Sequence, residues 1–339
     1  MTELRANILL CTCEGTMSPD PEAVRRGCSD AKVAPIAHQL CGAQLAQFRA
    51  AAADPTPLTV GCTQETAVFS AVAEEIGRTA PLQFVNVRES AGWSADGSAS
   101  GPKMAALIAA AAEPMPEPAW VKVESAGVVL IYGRDDQAIE AAQLLKGQMD
   151  ITVLLAPPAA VVPPRTREFP VAKGRVRSAQ GSLGAFAVTV DEFAQPAPSS
   201  RGVLVFGPSS NGAVSRCDIL VDLSGGSSLF PAPDLRDGYV RADPGNPTAV
   251  LSAVLKVRDL VGAFDKPRYI AFQADLCAHS RSNIVGCTRC LNLCPAGAIT
   301  PAGNHVSVDP NICAGCGQCA AACPTGAAAY ALPTSDALM

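Results

Sequence analysis

Seven cysteines fall within residues 287–323, and their spacing constrains the chain more than any other feature of its sequence. The stretch "GCTRCLNLCPAGAIT", residues 286–300, carries Cys287, Cys290 and Cys294 before Pro295. The stretch "NICAGCGQCAAACPTGA", residues 311–327, carries Cys313, Cys316, Cys319 and Cys323 before Pro324. Both runs end in Cys-Pro, but the first has three cysteines where the second has four. Cys277 is the nearest cysteine upstream, with nine residues between it and Cys287.

The second run has two, two and three intervening residues, the bacterial ferredoxin spacing, in which three neighbouring thiolates hold one [4Fe-4S] cubane and the fourth cysteine turns to the other cluster. The first run supplies the second, third and fourth ligands of the same pattern, and Cys277 is expected to supply the first. The expected sets are therefore crossed: Cys277, Cys287, Cys290 and Cys323 for one [4Fe-4S] cluster, and Cys294, Cys313, Cys316 and Cys319 for the other. Zinc takes four ligands in two pairs, which two triplets with Cys-Pro endings fit poorly. His279 is the alternative to Cys277, and without either the first site becomes [3Fe-4S]; His279 and His305 otherwise read as ordinary loop residues. From Cys277 onward the charged residues are Arg281, Arg289, Asp309 and Asp336. So sparse a pattern gives little long-range steering. A partner held in a standing complex, or docking against the chain's own preceding domains, is expected instead, with Arg281 on the lengthened loop covering a cluster or facing those domains.

The 339-residue chain as a whole is 48% hydrophobic and 17% charged, which argues for well-filled cores. A net charge of −5 without any Lys/Arg cluster argues against a nucleic-acid partner. "MTELRANILLCTCEG" lacks the pattern of a signal peptide, and no apolar run is long enough to span a bilayer, so a cytoplasmic location is expected. Fourteen cysteines in a reducing compartment read as ligands or buried thiols rather than disulfides. No Ser/His/Asp arrangement or paired-carboxylate motif points to hydrolysis.

Three divisions are expected: an α/β domain over residues 1–100, a second over 120–266, and a cysteine-rich α+β domain over 267–339. In the first, "NILLC", "PLTVGC" and "LQFVNVRE" read as short strands, and "LCGAQLAQFRAAAA" and "ETAVFSAVAEEIG" as helices. Residues 92–120 read as a surface connection with one Ala-rich helix. In the second, residues 126–155 form a βαβ unit, followed by strands in "FAVTVDEF", "GVLVFG" and "CDILVDL" and a helix in "PTAVLSAVLKVRDLVGAF". Strands alternating with helices imply parallel sheets. Cys11 and Cys13 follow the first strand, Cys62 follows another, and Cys41 opens a helix. In a parallel sheet the carboxyl ends of the strands share one edge, where these four thiols can converge. A third iron–sulfur site there, with Cys28 as a spare ligand, stands beside the alternative that they are buried core thiols. A redox pair of Cys11 and Cys13 is a further alternative. Cys217 reads as core.

The stretches "NILLCTCEGT", "LCGAQLAQF", "TVGCTQETAVFSAVAEEIG" and "FVNVRESAGW" resemble, in order and wording, the N-terminal region of the A subunit of heterodisulfide reductases, a flavin and iron–sulfur protein. The likeness continues weakly through "GSLGAFAVTV" to the two cysteine runs. It implies a thioredoxin-reductase-like central region holding FAD and passing electrons between flavin and cubanes. The chain departs from that pattern where a glycine-rich turn should meet the pyrophosphate. Its turn is "YGRDDQA", where Gly133 remains but Arg134, Asp135 and Asp136 fill the loop. Two carboxylates repel a phosphate, so loss of the FAD site with retention of the fold is expected; "DLSGGSSLF", residues 222–230, is a second glycine-rich loop. The layout "LCTCEGTM" followed by "LCAHSRS…GCTRC" also resembles single-chain proteins of bacterial formate dehydrogenase systems, which implies such an enzyme complex as partner.

The leading expectation is an electron-transfer protein that relays single electrons through two [4Fe-4S] clusters, with a third as a candidate, to or from a redox enzyme. The alternatives are a flavin-containing oxidoreductase subunit and an accessory protein for maturation of a formate dehydrogenase.

Overall fold

The computed structural model describes residues 7–29, 31–113, 116–159, 161–279, 286–334 and 337. Contacts divide the chain into two compact units, Met1–Met115 and Pro116–Met339.

The first unit is built on four short strands, β1 (Asn7–Leu9), β2 (Lys32–Val33), β3 (Leu58–Val60) and β4 (Leu82–Phe84), all parallel in the order β2-β1-β3-β4. Between and after them come the helices α1 (Pro21–Gly27), α2 (Leu45–Ala52), α3 (Thr66–Glu75) and α4 (Gly101–Ala112). The start of α1 is set by Asp20, whose carboxylate accepts the amides of Glu22 and Ala23 while Pro21 occupies the first turn. One face of the sheet packs on α1 and α4 through Met17, Val24, Met104, Ala105 and Ile108; the other packs on Phe48, Phe69 and Val72 of α2 and α3. The two helices α1 and α4 approach closely because their contacts are small: a Cβ on Gly27 would lie 2.6 Å from that of Ala105, and one on Gly101 would lie 2.7 Å from that of Ala23. The Ala-rich stretch after residue 100 is thus part of this core rather than a bridge over the surface.

In the second unit β5 (Trp120–Ser125) pairs with the later β13 (Gly262–Pro267) as an antiparallel ribbon. Between them lie β6 (Val128–Gly133), α5 (Asp136–Leu145), β7 (Asp150–Leu155), β8 (Val171–Gln180), β9 (Phe186–Ala194), β10 (Ala213–Cys217), β11 (Ile219–Leu223), β12 (Tyr239–Arg241) and α6 (Pro247–Arg258). Seven of these strands form one sheet in the order β10-β9-β8-β7-β6-β11-β12. It is parallel from β8 through β12 and antiparallel at the β8-β9-β10 edge. Its central strands are apolar almost throughout because both faces are covered. On one face α5 and α6 lay down Ile139, Leu145, Val250 and Val254; on the other lie Phe186, Phe230 and Tyr239.

"GVLVFG", expected as a strand, makes only an isolated bridge, Pro196 to Phe206, and leaves Val203 and Val205 exposed. It is held by Leu204, buried and donating to the Val161 carbonyl at 2.9 Å, and by Phe206, which packs against the core. The long β8, "VAKGRVRSAQ", is a strand that its Lys and Arg residues hide from a hydrophobic pattern; they stand on its exposed positions.

The chain then runs through β14 (Ile270–Phe272), α7 (Arg289–Leu293), β15 (Ile299–Ala302), β16 (His305–Val308), α8 (Gln318–Ala322) and β17 (Ala328–Tyr330). β15 and β16 form a hairpin, and β17 returns to pair antiparallel with β14. The whole chain is thus an α/β protein with parallel sheets and a small α+β region at its C-terminal end. No helix among the described residues is long and apolar enough to cross a membrane.

The tightest joint in the large sheet is Gly133, where an added Cβ would stand 2.3 Å from the Cβ of Ala138 on α5. Gly133→Ala is expected to cost about 1–3 kcal/mol of stability through overpacking, read as a lower denaturant midpoint; an unchanged midpoint would show that the joint yields.

Candidate iron–sulfur centres

The C-terminal region folds so that its cysteines face two separate cavities. One is lined by Cys277, Cys287, Cys290 and Cys323, with Phe272, Val306 and Ala328 as apolar wall. The other is lined by Cys294, Cys313, Cys316 and Cys319, with Ile270, Ile299 and Val308. Each run therefore sends its last cysteine, the one before proline, to the other run's cavity. Local geometry explains the crossing. After Cys294-Pro295 and after Cys323-Pro324 the chain turns through a left-handed glycine, Gly297 at φ 65° and Gly326 at φ 70°. The turns bring the amides of Ala298 and Ala328 onto the two sulfurs, at 3.3 and 3.5 Å.

Cys277 reaches its cavity because the lengthened loop is pinched at its neck. Gly286 N donates to the His279 carbonyl at 2.6 Å and Cys287 N to the Ala278 carbonyl at 3.2 Å. His279 is buried, and its Nδ1–H donates to the Cys287 carbonyl at 2.8 Å. Its role in the structure is to close this neck, which spacing alone did not reveal. Arg281, expected to cover a cluster or face the preceding domains, lies outside the described residues.

In the second run Gly315 and Gly317 are both left-handed, at φ 72°. A Cβ on Gly315 would meet the Tyr269 ring at 2.7 Å, and Tyr330 donates its hydroxyl to the Gly315 carbonyl at 2.8 Å. Two tyrosines thus hold the Cys313–Cys319 loop in shape.

Residues 285–327 match the family model of the 4Fe-4S dicluster domain. The C-terminal region is a ferredoxin-like 4Fe-4S dicluster domain. No curated protein matches the chain. The match begins after Cys277, so that residue's place rests on the neck geometry alone. The donor set suits the group. Among the described residues no three His, Cys, Asp or Glu side chains converge on a single ion, whereas a cubane asks for four thiolates spread around a body, each on its own iron. Burial pushes the thiols of Cys290 and Cys313 up, and that of Cys319 to about 11. Cys323 is only partly buried; that raises its thiol, but amides of Ala328 and Thr325 outweigh it and bring it below the ordinary thiol value. Loading the dicluster domain therefore releases protons from buried thiols.

In the first unit Cys11, Cys13, Cys41 and Cys62 line one cavity of about 130 Å3 at the carboxyl edge of the sheet, together with Arg88, Glu89 and Gln64. Cys11 follows β1, Cys41 precedes α2, Cys62 follows β3, and Arg88 follows β4. Cys13 at φ 51°, Glu14 at φ 58° and Gly15 at φ 79° form a left-handed turn, a conformation that costs about 1–3 kcal/mol at a non-glycine residue. That turn aims Cys13 at Arg88, whose Nη1 donates to its sulfur at 3.2 Å. The Cys11 sulfur accepts the amides of Cys13 and Leu40 at 3.2 and 3.3 Å. Burial raises the Cys41 thiol, with Glu65, Cys62 and Cys11 adding to it. Cys28 is not a spare ligand: it sits between α1 and α4, with its sulfur 3.5 Å from the Ala105 carbonyl and its thiol raised by burial. Cys217 is core, buried and pushed up to about 12.

At the carboxyl edge of the large sheet, Asp135 caps α5 by accepting the amide of Gln137 at 3.2 Å. Asp136 accepts from Val162 N at 3.3 Å. Across the switch point between β6 and β11, Asp222 is fully buried and accepts from Tyr239 Oη at 2.6 Å and from Ser224 Oγ at 2.6 Å.

Burial, and then the hydrogen bond to Asp222, push the Tyr239 hydroxyl up to about 12 from its ordinary 10. The folded state thus holds this proton where the unfolded chain has lost it, so its contribution is complete below pH 10 and disappears as pH rises through 12. Unfolding free energy is expected to fall across that window, and Tyr239→Phe to flatten part of the fall, as followed by tryptophan fluorescence in urea.

Proposed function

We propose that this protein relays single electrons through two [4Fe-4S] clusters, one held by Cys277, Cys287, Cys290 and Cys323 and the other by Cys294, Cys313, Cys316 and Cys319, to or from a redox-enzyme partner. The observation that carries this reading is the crossing of Cys294 and Cys323, which gives each of two adjacent cavities four thiols. Clusters of this kind supply one-electron exchange without a substrate site of their own. The protein's residues then do three things. They present thiolates at eight fixed positions, wall the sites with apolar side chains that exclude water, and direct backbone amides onto the sulfurs of Cys294 and Cys323.

The cavity of Cys11, Cys13, Cys41 and Cys62 supports a third cluster in the same protein. Four thiols line a space of about 130 Å3 there, beside Arg88, which donates to the Cys13 sulfur and is paired with Glu89. In the central sheet, the position at the start of α5 that would cradle a dinucleotide phosphate is taken by the carboxylate of Asp135. This supports a scaffold role for that domain without FAD. The sparse charge of the dicluster domain fits a partner held in a standing complex, such as a formate dehydrogenase or another oxidoreductase.

Anaerobic purification with iron counting, flavin absorbance and low-temperature EPR tests these assignments. About eight irons per chain are expected from the dicluster domain, about twelve if the first unit is loaded, and no flavin. Stoichiometric flavin would overturn the scaffold reading. Cys277→Ser is expected to remove or convert one cluster signal and leave the other; an unchanged spectrum would refute its place as a ligand. Cys41→Ser is expected to lower the iron count by about four while sparing both dicluster signals, and no loss from a twelve-iron protein would remove Cys41 from the third site.

A further inference from the structure

Arg236 is an arginine of the central α/β region that is only 8% exposed. Its Nη2 donates to the carbonyl of Ala296 at 2.6 Å, two residues beyond Cys294, and its Nη1 donates to the Gly181 carbonyl at 3.0 Å. The guanidinium lies 4.6 Å from the centre of the Phe230 ring, and its Nε has no hydrogen-bond partner. Two carboxylates act on it from nearby without a hydrogen bond to it: Asp309, whose Oδ1 accepts from Asn311 N at 2.9 Å, and Asp237, which is paired with Lys266 Nζ at 2.6 Å. Lys266, also largely buried, donates to the Asn311 carbonyl at 2.7 Å, two residues before Cys313. Two cations from one region thus bear on a single cysteine-lined cavity. The other cavity has Arg289, which is exposed.

A buried guanidinium without a carboxylate partner is costly, and carbonyl acceptors offset that cost only in part. A negatively charged cluster held by Cys294, Cys313, Cys316 and Cys319 would offset the remainder. We propose that Arg236, assisted by Lys266, raises the reduction potential of the cluster held by Cys294, Cys313, Cys316 and Cys319 above that of its neighbour, so that an electron entering the dicluster domain rests at the end against the α/β region. Reduction is one-electron uptake from the donor with no bond made or broken. It adds one negative charge beside a fixed positive one, and in a low-dielectric surround this pair favours the reduced state. This inference rests on the two-cluster assignment above.

The test is potentiometric EPR on the full-length protein, purified anaerobically and titrated with dithionite, with Cys277→Ser used to identify which signal belongs to which cavity. Arg236→Gln is expected to move the midpoint of the Cys294/Cys313/Cys316/Cys319 cluster to lower potential, changing its reduced-to-oxidised ratio on the order of tenfold at a fixed potential, and to leave the other midpoint near its original value. Arg236→Lys is expected to restore most of the shift. Equal shifts in both clusters, no shift in either, or a Lys variant that behaves like Gln would overturn the proposal. If the Arg236 variants fail to load iron, Lys266→Met decides it: a downward shift confined to the same cluster supports the proposal and an unchanged midpoint overturns it. A wild-type protein with fewer than about eight irons in the dicluster domain would instead remove the two-cluster reading on which the inference stands.

Discussion

The structure of the C-terminal region depends on eight cysteines being gathered around two cavities by a very small body of apolar side chains. Ile270, Ile299, Val306, Ala327 and Ala328 form most of the core there, and cysteines fill the rest of it. A region of this size buries too little apolar surface to be firmly stable alone. Left-handed glycines, tyrosines packed over the Cys313–Cys319 loop and amides directed at sulfur hold the shape of the sites, and metal binding by the thiols adds folding free energy. The region also leans on the large α/β sheet through Arg236 and Lys266. That contact joins the dicluster domain to the central α/β region.

The two parallel sheets use one geometric device in two ways. In each, the loops after the strands gather at one edge. In the first unit that edge is lined by four cysteines together with Arg88, Glu14, Glu65 and Glu89. In the second unit the corresponding edge carries Asp135, Asp136 and Asp222. The first of these caps α5, and the last is satisfied internally by Tyr239 and Ser224. The same architecture therefore gathers thiols at one edge and hydrogen-bonded carboxylates at the other, and the difference lies in a handful of side chains.

Local signals made the fold class legible. Apolar runs of three to six residues separated by helical patterns announced parallel sheets, and cysteine spacing announced the C-terminal region. Cys11, Cys13, Cys41 and Cys62 could be placed at one sheet edge because strand ends in a parallel sheet share a side. Other features had no local signal. Cys28 lies at the end of α1, and only the packing of α4 on α1 shows that it faces away from the cysteine cavity. The strand β8 was hidden by exposed Lys and Arg, and "GVLVFG" has the composition of a strand without a neighbour to pair with. His279 looked like loop or ligand until its hydrogen bond to Cys287 showed it closing the neck.

The sequence by itself determined the number, order and spacing of the cysteines, and the presence of Arg134, Asp135 and Asp136 in the loop after Gly133. These follow from the covalent chain, because spacing sets which thiols can reach a common point and residue type sets which backbone conformations are cheap. Tertiary structure alone decided which elements face the cysteines. Arg236 is sixty residues from Ala296 in the chain, yet its guanidinium is buried against that residue's carbonyl. No periodicity encodes such a contact, because it arises when elements distant in the chain pack together and a buried charge must find its acceptors.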